Sequence, residues 1–132
     1  MNSKGTSTRK RHILIVDDNE QLAQSYKELL EAGDYSVSVA PNGVVALKQV
    51  LNQDIDAVIC DLKMPQLDGD KFYVTVERVK PDLLRRFIFI TGESNAEKFQ
   101  DFLRKVESPV FTKPVPTEKL VKTLESFWAR GG

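Results

Sequence analysis

The sequence predicts an α/β domain, a doubly wound sheet of five parallel strands with helices on both faces. Short apolar runs alternate with segments whose apolar residues recur at helical spacing, which is the pattern of a parallel sheet with crossover helices. Three runs are apolar nearly throughout, as buried central strands are, and two carry the marks of edge strands. Polar side chains follow directly after the runs, which places them at the carboxyl edge of the sheet, where such folds bind ligands.

The first part of the chain supplies two strands and two helices. Residues 12–16 form an apolar run and predict a central first strand, whereas residues 35–39 alternate strictly and predict an edge strand. Asn19 and Glu20 begin the first helix, which ends at Gly33. Its apolar stripe is Leu22, Ala23, Tyr26, Leu29 and Leu30. After a turn at residues 41–43, the stripe of the second helix is Val44, Ala46, Leu47, Val50 and Leu51.

The third strand is predicted over residues 57–60, an uninterrupted apolar run that ends on Asp61. Asp68 is the expected N-cap of a third helix, and Pro81 ends that helix. The apolar residues of this helix are Phe72, Val76 and Val79.

Two more strands and two more helices complete the chain. Residues 87–90 predict a central fourth strand that ends on Thr91, and residues 94–97 match a capping box at the start of a fourth helix. Its inward residues are Phe99, Phe102, Leu103 and Val106. Pro109 opens a fifth strand over residues 109–112 and marks it as an edge. The last helix follows Pro116 and turns Leu120, Val121, Leu124, Phe127 and Trp128 inward.

The order of the strands follows from which of them are edges. Right-handed crossovers, with the second and fifth strands outermost, favour the order 2-1-3-4-5. This is the order of flavodoxin-like sheets, whose ligand crevice opens between the first and third strands.

Composition narrows the class of protein. The 132 residues suit one domain, predicted over residues 12–130, and residues 1–11 are expected to be a disordered leader or a remnant of cloning. Lys+Arg and Asp+Glu number 19 each, which gives no charge footprint for nucleic acid or for an anionic membrane. The single cysteine, Cys60, excludes an internal disulfide, and no apolar run reaches the ~20 residues of a membrane span. We therefore expect a soluble, cytoplasmic domain.

Five polar side chains are predicted to meet at the carboxyl edge of the sheet. Asp17 and Asp18 follow the first strand, Asp61 the third, Thr91 the fourth and Lys113 the fifth. Three carboxylates in one crevice repel each other, and Mg2+ with oxygen ligands would relieve that repulsion. A lysine and a hydroxyl opposite them suit a phosphoryl group, and a carboxylate between metal and cation can accept it as an acyl phosphate.

The chain from about residue 12 to residue 129 resembles the receiver domain of two-component response regulators. The resemblance rests on Asp17-Asp18, on Asp61 followed by Leu62-Lys63-Met64-Pro65 and Asp68-Gly69, on Thr91-Gly92, and on Lys113-Pro114. It implies that Asp61 is the phosphoacceptor, and that Asp18, Asp61 and the Lys63 carbonyl bind Mg2+, with Asp17 acting through water. It further implies that Thr91 and Lys113 are the switch hydroxyl and the partner lysine, and that the Lys113-Pro114 peptide is often cis.

The same resemblance sets expectations about partners. The phosphoryl donor would be a histidine kinase or a phosphotransfer protein, and a downstream protein would dock on the face of the fourth helix, fifth strand and fifth helix. We expect the domain to bind neither nucleic acid nor membrane and to be a monomer or a weak homodimer. We also expect a self-phosphorylating switch, not an enzyme. The domain would act alone or be part of a longer hybrid kinase. Lys63 and Glu93 would either pair across the mouth of the site or stay solvated and never meet.

Two other functions remain open, and one feature departs from the family. A degenerate receiver that only mediates protein contacts is one alternative. An aspartate-nucleophile phosphatase is the other, although it would usually need a second Asp where Lys63 stands. Many receivers have an aromatic residue three positions before the lysine, where this chain has Val110, so the chain departs from the usual aromatic switch.

Overall fold

The computed structural model describes residues 9–92 and 97–129, and strands and helices alternate along them. The strands are β1 (His12–Val16), β2 (Ser36–Ala40), β3 (Ala57–Asp61), β4 (Phe87–Thr91) and β5 (Val110–Thr112). The helices are α1 (Glu20–Ala32), α2 (Gly43–Asn52), α3 (Gly69–Val79), α4 (Gln100–Lys105) and α5 (Thr117–Ala129).

The sheet has five parallel strands in the order β2-β1-β3-β4-β5. The predicted fold class, strand order and edge strands are therefore confirmed. The three central strands are buried almost throughout, which explains why their sequences are continuously apolar. Because β1 and β3 are neighbours, their carboxyl ends lie side by side.

The core divides into two layers because successive residues of a strand face opposite sides of the sheet. On one side the strands pack against α1 and α5, with Tyr26 and Leu124 among the buried residues. On the other side they pack against α2, α3 and the aromatic ring of Phe102 in α4. Both faces of the sheet are thus covered, as a doubly wound fold requires.

The helix starts follow the expected capping chemistry in two cases. Asn19 caps α1 by accepting a hydrogen bond from Leu22 N at 3.1 Å, and Asn42 caps α2 by accepting one from Val45 N at 2.9 Å. Asp68 occupies the N-cap position of α3 as predicted, but its side chain makes no capping hydrogen bond.

Three details differ from the sequence predictions. A 3-10 helix over Pro81–Arg86 was not predicted, and it forms because Pro81 ends α3 yet is well tolerated at a helix start. α4 begins at Gln100, later than predicted; of the predicted capping box, residues 94–96 lie outside the described part of the chain. Several residues assigned to apolar stripes are exposed instead, because they lie at the margins of their helices' buried faces: Leu29, Val44, Leu51 and Val79.

The end of the predicted leader contacts the domain. Arg9 forms a two-pronged ion pair with Asp56, at 2.9 and 3.0 Å, and Arg11 stacks over the ring of Trp128. Residues 1–8 lie outside the described part of the chain, and the domain boundary at residue 12 stays a prediction. In residues 9–92 and 97–129, the longest helices are too short and too polar to cross a bilayer.

Candidate functional site

Two buried aspartates stand at the carboxyl ends of neighbouring strands. Asp61 is the last residue of β3, and Asp17 directly follows β1, where its amide donates to Ala40 O of β2 at 3.0 Å. Asp17 is 3% exposed and Asp61 6% exposed, whereas Asp18 faces solvent. Strand pairing thus brings carboxylates that are 44 positions apart in the sequence to one crevice.

The three carboxylates are close enough to share one cation. Asp17, Asp18 and Asp61 each offer an oxygen, and these oxygens lie within 4.8 Å of one another. Carboxylate oxygens are hard ligands of the kind that Mg2+ prefers. A hydrogen bond holds the Asp17 side chain in place: Oδ1 accepts it from Asn19 N at 2.9 Å.

Lys113 brings a positive charge to the same crevice. Its Nζ donates to Asp61 Oδ2 at 2.9 Å and lies 3.5 Å from Asp17 Oδ2. The lysine directly follows β5, and its backbone amide donates to Thr91 O at 3.0 Å, which ties it to the neighbouring strand. The Lys113-Pro114 peptide bond is cis, as the resemblance implies.

The charges shift the pKa values of Asp61 and Lys113. Burial raises the pKa of the Asp61 carboxyl, the nearby Lys113 lowers it, and the charges of Asp17 and Asp18 raise it again, with a net rise. Burial opposes the charge of Lys113, but the hydrogen bond to Asp61 and the charges of Asp61 and Asp17 outweigh it, so the pKa of Lys113 is raised. The crevice therefore has more negative charge than one lysine balances.

Of the other predicted site residues, the structure describes Thr91 and Lys63. Thr91 ends β4, is buried, and its hydroxyl donates to the carbonyl of Gly92 at 3.1 Å. Lys63 follows Asp61 by two positions and its side chain is exposed. The role of its carbonyl as a metal ligand stays a prediction. Glu93, the predicted partner of Lys63, lies outside the described part of the chain.

Position 110, where many receivers carry an aromatic residue, holds a valine in this chain. Val110 is 37% exposed at the start of β5. Phe111 is partly buried and packs into the layer under α1 and α5, so it does not occupy the face where Val110 lies.

Sequence reasoning missed what Asp68 does beside the site. Its Oδ1 accepts a hydrogen bond from Met64 N at 2.9 Å, and its Oδ2 lies 3.3 Å from Lys98 Nζ. The next residue, Gly69, donates its amide to Leu62 O at 2.7 Å. An Asp before a helix signals an N-cap, but nothing in the sequence links position 68 to position 98.

Comparison with known proteins identifies the family. The family model for the response regulator receiver domain matches residues 13–125. The chain belongs to this family. Receiver domains are signalling switches of two-component systems, they bind Mg2+ at an acidic pocket, and they interact with histidine kinases or phosphotransfer proteins.

Solved structures and curated proteins agree with this assignment. A response regulator receiver domain from Clostridium thermocellum superposes with a TM-score of 0.80 at 25% identity, covering 92% of this chain and 96% of that one. Chemotaxis protein CheY4 of Vibrio cholerae gives a TM-score of 0.77 at 28% identity, covering 89% and 98%. The transcriptional regulatory protein ZraR of Escherichia coli K12 is 30% identical over 113 residues. That match covers 86% of this chain but only 25% of ZraR, so the chain spans about a quarter of this relative.

Proposed function

We propose that this receiver domain is a phosphoacceptor, in which Asp61 takes a phosphoryl group from a phosphohistidine on a partner protein with Mg2+ bound beside it. One observation carries the proposal. The Asp61 carboxylate shares an acidic cluster with Asp17 and Asp18, whose oxygens lie within 4.8 Å of one another, and it also accepts a hydrogen bond from the ammonium group of Lys113 at 2.9 Å. A nucleophilic carboxylate flanked by a metal site and a cation is suited to phosphoryl transfer.

The residues present fit Mg2+. All three side chains of the cluster offer oxygen and none offers nitrogen or sulfur, and the raised pKa of Asp61 reflects burial together with the charges of Asp17 and Asp18. We assign Asp18, Asp61 and the Lys63 carbonyl as direct ligands, and Asp17 as a ligand through water. When bound, the ion would offset this negative charge and that of the incoming phosphoryl oxygens.

In the transfer step, a carboxylate oxygen of Asp61 attacks the phosphorus atom in line with the donor nitrogen. A phosphorus–oxygen bond forms, the phosphorus–nitrogen bond breaks, and its electron pair returns to the imidazole of the donor. Lys113 favours the ionised, reactive form of Asp61 through the hydrogen bond at 2.9 Å. The same ammonium group would then donate to an oxygen of the new acyl phosphate.

The Thr91 hydroxyl would change its hydrogen-bond partner when Asp61 is phosphorylated. It donates to its own neighbour, Gly92, at 3.1 Å, and rotation would let it donate to a phosphoryl oxygen instead. Because Thr91 ends β4, its movement would shift the connection to α4 and change the face formed by α4, β5 and α5.

We assign the partners by the chemistry of the site. The donor is a histidine kinase or a phosphotransfer protein, and the receiving partner is a downstream protein that binds the face of α4, β5 and α5. We propose that the domain acts in the cytoplasm, as a monomer or weak homodimer, without binding nucleic acid or membrane. Its formal charge of zero supports the last point.

The test is phosphorylation by a small donor. Incubation with acetyl phosphate and Mg2+ should add one phosphoryl group, measured by intact mass, and Asp61→Asn should abolish the addition. EDTA should prevent it in the wild type. Stable labelling of the Asn variant at another acid would overturn the assignment of Asp61, and no labelling of the wild type would favour a receiver that acts only through protein contacts.

A further inference from the structure

The carboxylate of Asp68 joins two segments that flank the site. Oδ1 accepts a hydrogen bond from Met64 N, and Oδ2 pairs with Lys98 Nζ at 3.3 Å. An Asp at an N-cap ordinarily accepts hydrogen bonds from the first amides of its own helix, and Asp68 makes none of these. Its side chain therefore connects the loop after β3 to the segment that precedes α4.

One end of this connection is fixed to the backbone of the phosphoacceptor. The Gly69 amide donates to Leu62 O at 2.7 Å, and a Cβ at Gly69 would lie only 2.6 Å from Asp61 O. The side chain of Asp68 is 23% exposed. Asp68 therefore cannot shift far unless the chain around Asp61 shifts with it.

The other end of the connection is Lys98, in the segment just before α4. Lys98 Nζ lies 5.2 Å from the ring centroid of Phe99, and Phe99 is 3% exposed within the core. The ammonium group is thus held between a buried aromatic ring and a fixed carboxylate, although 57% of the lysine side chain is exposed. The ion pair joins the loop that follows Asp61 to the segment just before α4.

We propose that Lys98 is a positioning residue for phosphoryl transfer to Asp61, an inference that rests on the proposed function. Through Asp68, Lys98 holds the loop that follows Asp61 in the position that transfer requires. Misplaced reacting groups slow a transfer even when every group is present. Exposed ion pairs are weak and are screened by salt, so the loss of Lys98 should slow transfer and leave it detectable.

The experiment is a double-mutant cycle on the rate of phosphorylation by acetyl phosphate at saturating Mg2+. The variants are Lys98→Met, Asp68→Asn and the double variant, where Asn keeps an oxygen for the Met64 amide. Each single variant should lower the rate by about two- to five-fold, and the double variant should be no slower than the singles. Lys98→Arg should restore most of the rate, and the ratio of wild type to Lys98→Met should shrink in high salt.

The control is the pair Arg104–Asp101, which is exposed, lies within α4 and spans 3.8 Å. Arg104→Met should leave the rate unchanged. Equal phosphorylation rates in the wild type and in Lys98→Met would overturn the inference about Lys98 without touching the proposed function. Additive rate losses in the double-mutant cycle, or a slow phosphorylation rate in Lys98→Arg, would do the same. A wild type that takes up no phosphoryl group would overturn the proposed function and this inference with it.

Discussion

The negative charge on Asp61, which the proposed phosphoryl transfer needs, destabilises the folded state. The carboxylate is 6% exposed and shares its crevice with Asp17 and Asp18, and Lys113 offsets only part of this repulsion. The net effect raises the pKa of Asp61 in the folded state. A carboxyl whose pKa is raised by folding binds its proton more tightly in the native state than in the unfolded chain.

The pH dependence of stability follows from this shift. Well below the ordinary pKa of 3.8 both states are protonated and Asp61 costs nothing, whereas above the raised pKa its ionised form lowers the free energy of unfolding. Without metal, Asp61→Asn should therefore raise the free energy of unfolding at about pH 7. Urea denaturation measures this gain in the free energy of unfolding, which should fade as the pH falls toward about 4.

The exposed Asp101, in α4, supplies the matched control, because its side chain is 93% exposed. Asp101→Asn should change stability little at either pH. If the Asp61→Asn variant is less stable than the wild type at neutral pH, the Lys113 contact outweighs the repulsion, against the expected sign.

Residues of the site were predictable where position along a strand decides them. Asp17, Asp61, Thr91 and Lys113 each end or follow a strand, and parallel strands end at one edge. The contact between Asp68 and Lys98 was not predictable, because it depends on how two loops are folded. No periodicity or local motif encodes such a contact.

At the scale of elements, α3 is set unusually close to the end of β3. The approach depends on Gly69, where a Cβ would lie 2.6 Å from Asp61 O and 3.0 Å from Leu62 Cα. Both are backbone atoms, which cannot rotate away as a side chain can. The first turn of α3 therefore fixes the end of β3, where Asp61, the proposed phosphoacceptor, lies.

Gly69→Ala should push α3 away from β3. We expect a loss of about 1–3 kcal/mol in the free energy of unfolding, as for other overpacked sites, and a slower phosphorylation of Asp61. Gly33→Ala is the control, since a Cβ there lies 3.4 Å from Leu30 O and its φ of −89° suits alanine. Chemical denaturation of both variants measures the difference; equal stability of the two would show that α3 can shift freely.

The sequence predicted well the helices and strands whose buried residues recur at a regular spacing. It predicted the other elements less well. The central strands and the long helices have continuous or 3.6-residue patterns, and these set the sheet order. The 3-10 helix at Pro81–Arg86 has no such period, and α4 has only six residues and none that is fully buried. Leu29 and Leu51 show the limit of the stripe argument, because an apolar residue at the margin of a stripe can still face solvent.

For the whole molecule, folding and metal binding are coupled through the acidic crevice. Its three carboxylates stand at the carboxyl ends of two strands and meet only in the folded chain. A cation bound there stabilises the native state, because the unfolded chain has no equivalent site. The proposed Mg2+ site can therefore be tested by stability alone, without any phosphoryl donor.

Saturating Mg2+ should raise the melting temperature of the wild type. At a concentration ten times Kd the gain in the free energy of unfolding is about 1.4 kcal/mol, which is roughly 3–6 °C for a domain of this size. Asp18→Ala should remove most of the response, and because Asp18 is exposed the variant should still fold. Asp101→Ala, an exposed acid far along the chain in α4, should respond as the wild type does. Identical melting of the wild type in EDTA and in millimolar Mg2+ would show that the crevice binds no metal. That result would contradict the proposed set of Mg2+ ligands.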